Sequence, residues 1–202
     1  MLSTIQATFD QNMGRVENVV VLHASIPGAK GSGRKGHKTT DVLRSAVVLL
    51  HATLEECCRG IAHWKLPEAE ADALDEIPLV GTGPSPKKFQ LGALAPHRDK
   101  TVRVVIEESV AAHLKQSNFN NTDEIAHLLA SVGVDIDKVN SSFPALQEFM
   151  ERRHQIVHRA DRQDIVVGSG DHRVRSLSRS AVQAWIQAVK QFGAEVFREL
   201  GP

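Results

Sequence analysis

The feature that most constrains this chain is a row of apolar residues spaced three and four apart: Leu43, Val47, Leu50, Leu54, Cys58 and Ile61. At 100° per residue they fall within an arc of about 100°, one face of a long helix. A strand alternates with period two and would scatter them over both faces. The same spacing recurs along the chain. Ile5, Phe9, Val16 and Val20 stripe a helix over about 3–23, and Ala181, Trp185, Val189, Phe192 and Val196 stripe another over about 176–200. Period-two runs are rare and short, and tyrosine is absent.

The remaining helices follow from start and stop signals. Thr40 or Asp41 is a cap candidate for the striped helix, about 41–64, which Pro67 ends. Pro78, Pro84 and Pro86 mark a long irregular connection. A further helix is expected over about 98–116, and a short one over about 122–131 with Thr122 or Asp123 as cap. The opening SSFP at Ser141 starts another, running to about Ala160. Residues 26–40 carry four glycines among lysines and an arginine, a flexible basic loop. The expected fold is an all-α bundle of four to five long helices with short extra helices. It forms one domain over 1–202, with a core over about 40–200 and the N-terminal helix packed on it.

Composition narrows the function classes. Lys plus Arg and Asp plus Glu each number 24, so formal net charge is zero. Grip on nucleic acid by bulk charge is excluded, and any such contact needs a local patch. The two cysteines, Cys57 and Cys58, are adjacent, read as reduced, and behave as small apolar residues. No apolar run approaches a membrane span, and the opening residues lack a secretory pattern. The expected location is cytoplasmic, with no membrane partner.

The chemistry concentrates in ERRHQIVHRADR, residues 151–162. On a helical wheel with Arg153 at zero, Leu146, Phe149, Met150, Ile156, Val157 and Ala160 all fall within about 60° of it. Arg153 thus interrupts the centre of an apolar stripe. His154 and His158 lie together on its edge, at about 100° and 140°, while Arg152, Gln155 and Arg159 fall on the far side, toward solvent. A guanidinium buried without a partner costs several kcal/mol, on the order of a lost ion pair. Its partner is either an internal one, with His51 and Glu55 in a row with Arg44 as candidates, or an anion that comes and goes. Arginine stabilises phosphoryl charge and histidine moves protons near neutral pH. Together they supply the parts for phosphodiester cleavage without a metal. Asp161 braces Arg159 or Arg153, or faces water.

With RHQIVH followed by RAD, the chain resembles the R-x4-6-H motif of the HEPN superfamily, matched in order by Arg153, His154 and His158. Residues 44–67 also resemble the long second helix of the HEPN branch associated with RiboL-PSP genes, and the likeness spans about 40–200. The resemblance implies a metal-independent endoribonuclease, often in a defence or toxin–antitoxin setting. It implies a homodimer whose two motifs share one cleft, RNA as substrate, and an antitoxin protein as a further partner. His158 would act as general acid or base, Arg153 would stabilise the phosphorane, and His154 would position them. A non-catalytic HEPN module binding a partner protein or nucleotide is the alternative.

Other signals are weaker. HQIVH has the i, i+4 spacing of metal ligands but lacks the Glu of HExxH and any evident third ligand, so no metal is expected. GAKGSGRKGHKT does not satisfy GxxxxGK[ST] and no strand precedes it, so it is not a nucleotide-binding P-loop. Lys30, Arg34, Lys35 and Lys38 remain candidates for contact with RNA backbone. No cofactor is implied.

Overall fold

The computed structural model describes residues 1–26, 37–82, 91–162 and 174–201. In chain order its helices are α1 (Leu2–Ser25), α2 (His37–Lys65), α3 (Ala71–Leu74), α4 (Val102–Leu114), α5 (Thr122–Ser131), α6 (Phe143–Arg159) and α7 (Arg179–Leu200). Short 3₁₀ turns at Leu66–Glu68, Leu91–His97, Ile136–Lys138 and Asn140–Ser142 punctuate the connections. The protein is an all-α bundle. Its sole β feature among the described residues is an isolated antiparallel bridge between Arg162 and Val174. No described helix is long and apolar enough to cross a membrane.

Helix α2 is the central element, packing against α1, α4, α5, α6 and α7. Its predicted stripe is its buried face: Leu43, Val47, Leu50, Leu54, Cys58 and Ile61 are all fully buried. Each such large apolar side chain contributes roughly 1.5–3 kcal/mol on leaving water. From α1 come Phe9, Met13, Val16 and Val20, and from α7 come Trp185, Val189, Phe192 and Val196. The Phe9 and Phe197 rings meet edge to face at 5.5 Å. Gly193 permits this approach, because a Cβ there would lie 2.7 Å from the Phe9 ring. Cys57 and Cys58 are free and buried. Burial pushes the Cys58 thiol up to about 12, which makes it inert as a nucleophile.

Several caps sit away from the expected residues. α2 begins at His37, so Thr40 and Asp41 lie inside it, and Asp41 pairs with Arg44 one turn on at 2.8 Å. Asn121, not Thr122 or Asp123, caps α5: its extended backbone lets Oδ1 accept the Glu124 N–H at 2.8 Å. α4 starts late because Thr101 caps it, and α7 starts late because Ser178 does. Helix α6 ends at Arg159 through two left-handed residues, Ala160 (φ 48°) and Asp161 (φ 57°). The Asp161 N–H donates back to the Gln155 carbonyl at 3.0 Å. This reversal folds the chain beneath its own helix end and places Asp161 in the interior.

Candidate functional site

Helix α6 emerges from the core along its length. Leu146, Phe149 and Met150 are buried, Arg153 and Ile156 are half-buried, and Val157, His158 and Ala160 are exposed. The apolar stripe therefore buries only the first half of the helix, and Arg153 stands at the margin where the core gives way to solvent.

The neighbouring arginines have opposite fates. Arg152 does not face solvent as its wheel position suggests. Its Nη2 donates to Asp161 Oδ2 at 2.8 Å and to the carbonyls of Arg175 and Ser176 at 3.2 Å. Arg44 Nε donates to the same Asp161 oxygen at 2.7 Å, and its Nη2 to the Arg175 carbonyl at 3.1 Å. Asp161 is wholly buried and braces Arg44 and Arg152, rather than Arg153, Arg159 or water. Burial lowers the Arg152 guanidinium below its ordinary value, with Asp161 opposing the shift. The αL reversal explains the difference from the wheel, because a projection along one helix cannot show a chain that doubles back.

Arg153 has no carboxylate partner among the described residues. Its Nη1 donates a single long bond, 3.3 Å, to the neutral Asn120 Oδ1, and its buried Nε has no acceptor. Beside it lies His51, buried against the Phe149 ring at 6.0 Å. His51 is lowered to about 4 by burial and then by the Arg153 charge, against which Glu55 and the Phe119 backbone act weakly. It is therefore neutral near pH 7 and adds no charge to the cluster. Glu55 is not the internal partner of Arg153. Its Oε1 accepts from Arg59 at 2.8 Å, and its Oε2 lies 3.7 Å from His51 Nδ1. Arg59 also reaches the carbonyls of Leu114 and Ser117, securing the end of α4.

His154 and His158 are exposed, with ring centroids 4.6 Å apart and a tilt of 40°. Their rings lie against each other, and neither has a hydrogen bond to Arg153. The single chain thus brings the two histidines together and sets Arg153 beside His51 and Asn120. No known protein family, curated protein or solved structure matches the chain. The site is read on its own geometry. Among the described residues no group of three or more His, Cys, Asp and Glu side chains converges as a metal cage. Lys30, Arg34 and Lys35 lie outside the described residues, and Lys38 is known only by its place in the first turn of α2.

Two members of this neighbourhood escape sequence reasoning. Asn120 sits in a polar NFNN run whose neighbour Asn121 is the stronger cap signal. Arg44 shares a helix row with His51 and Glu55, yet its partner Asp161 is 117 residues away in sequence. No local pattern encodes that pairing.

Proposed function

We propose that this chain is a metal-independent endoribonuclease of the HEPN kind, acting as a homodimer. The observation that carries the proposal is Arg153: a half-buried guanidinium with no carboxylate partner among the described residues, next in sequence to exposed His154 and five residues before exposed His158. An uncompensated cation at the edge of a core favours an incoming anion, and a phosphodiester supplies one. Attack of an RNA 2′-OH on the adjacent phosphate forms the cyclic ester and breaks the P–O5′ bond. His158 takes the 2′ proton, or returns one to the departing 5′ oxygen. Arg153 stabilises the charge on the phosphorane, and His154 orients His158. Proton transfer of this type contributes on the order of 10²–10⁴-fold in rate. Exposed Val157 on α6, with exposed Ala160 just past the helix end, supports a second copy covering this face, with two motifs in one groove. A defence or toxin–antitoxin role, with an antitoxin protein as partner, extends the same family reading.

The lack of a hydrogen bond between Arg153 and either histidine favours a second reading, a non-catalytic module that binds a partner protein or a nucleotide phosphate through Arg153. RNA cleavage in EDTA separates the two. Wild type should cleave and leave 2′,3′-cyclic phosphate ends, and Arg153→Ala and His158→Ala should each lose at least ~100-fold in rate. Activity undiminished in both variants would remove these residues from the site. Phosphate binding through Arg153 without cleavage supports the second reading, and activity abolished by EDTA would contradict metal independence.

A further inference from the structure

We propose that His154 and His158 form a two-imidazole site for one divalent transition-metal ion of the zinc, copper or nickel class, and that an ion bound there inhibits the proton transfer assigned to α6. The inhibitory half rests on the ribonuclease reading, and the binding half does not. The two residues stand one helical turn apart, where side chains lie over one another on the same face. Their ring centroids are already 4.6 Å apart, both rings are exposed, and neither has a hydrogen bond among the described residues. Ligand bonds of about 2.0–2.1 Å require the two donor nitrogens to lie roughly 3 Å apart. Rotation about χ2, which is broad for histidine, reaches that spacing without moving the helix.

Three other described histidines are buried or have other partners. His51 is buried, His97 Nε2 lies 3.3 Å from the Val80 carbonyl, and His127 pairs with Glu76 at 3.2 Å. Glu151 lies one turn before His154 on the same face, but its Oε1 accepts from Gln147 at 2.9 Å. Two imidazoles with water completing the shell make an exchangeable site rather than a structural one. Imidazole selects zinc, copper and nickel over magnesium and calcium, which prefer oxygen ligands. A metal on these nitrogens occupies the lone pairs that would accept a proton.

The test titrates the whole chain with zinc chloride by calorimetry, with magnesium chloride as control. One zinc per chain is expected, weakened about tenfold or more in His154→Ala and in His158→Ala and unchanged in His127→Ala. Circular dichroism verifies that each variant is folded. Absence of zinc binding by wild type, or binding by both variants as tight as that of wild type, overturns the site. A second arm measures RNA cleavage in EDTA and again with zinc in excess. Cleavage should fall as the pair fills, and cleavage undiminished at saturation overturns the inhibitory role. Zinc binding that depends on both histidines, in a chain that never cleaves RNA, leaves the metal site standing and refutes the ribonuclease reading instead.

Discussion

Replacing Asp161 by Asn tests the ion-pair hub behind the site. Asp161 is wholly buried, and the side chains of Arg44 and Arg152 are only 12% and 11% exposed. Both guanidinium groups donate to the same oxygen, Oδ2. Asparagine keeps the shape and tolerates the left-handed φ of 57°. It removes the charge, however: the amide oxygen can take the place of Oδ2 and the amide nitrogen that of Oδ1, which has no hydrogen-bond partner, so both cations lose their counter-ion. Breaking a buried pair in this way costs about 3–5 kcal/mol, because the remaining charges are left in a poorly solvated place. In a chain of this size 1 kcal/mol shifts the melting temperature by about 2–4 °C, so the variant should melt roughly 6–20 °C lower. Urea unfolding followed by circular dichroism gives the same quantity as a free energy. Adding Arg44→Met and Arg152→Met to Asp161→Asn removes the stranded cations and should recover most of the loss, since apolar packing commonly replaces a buried ion pair without penalty. A loss below about 1 kcal/mol in the single variant, or no recovery in the triple, would refute the account of Asp161 as a buried counter-ion.

Two further predictions concern the core beside the site. His51 is held at about 4 against an ordinary value of 6.5, so the unfolded chain binds more protons between those limits. Its contribution is intact above pH 6.5 and is lost as pH falls toward 4, by up to about 3 kcal/mol. The stability difference between wild type and His51→Gln should change by that amount across this window in pH-dependent urea melts, and a constant difference would contradict a buried neutral imidazole. Gly193→Ala should destabilise by roughly 1–3 kcal/mol through its clash with Phe9. Calorimetric melting should show part of that recovered when Phe9→Leu is added, whereas a neutral Gly193→Ala would mean that α1 and α7 separate easily.

Much of the bundle was legible because packing and periodicity carry the same information. The α2 stripe must be buried if the helix is to exist at all, and every member of it is. Helix starts were less legible where several cap-competent residues lie side by side. Asn121, Thr122 and Asp123 all suit a cap, and only backbone geometry selects the first. The candidate site was marked in the sequence by its residue types and less so by its partners. Arg153 was marked by its position in the apolar stripe, and the two histidines by their spacing. Asp161 and Asn120 come to the arginines through tertiary structure, across a chain reversal and from the segment before α5.

The adjacent arginines show why the distinction matters. Arg152 and Arg153 share residue type and helix, and differ by about 100° of rotation. That rotation gives Arg152 a buried carboxylate and two backbone carbonyls, all three accepting from Nη2, which hold it as structure. It gives Arg153 one long bond to a neutral amide, a buried Nε with no acceptor and a neutral histidine alongside. An Arg152→Lys change should therefore lower stability, because the lysine side chain is one bond shorter and its ammonium falls short of the place that Nη2 holds among those three acceptors. An Arg153→Lys change should leave the fold intact, since little holds that fork. Its effect should appear only where a phosphate oxygen pair is meant to meet it. If thermal melts instead showed the reverse order, with Arg153→Lys the more damaging to folding, Arg153 would be a structural residue and the anion assigned to it would have no place.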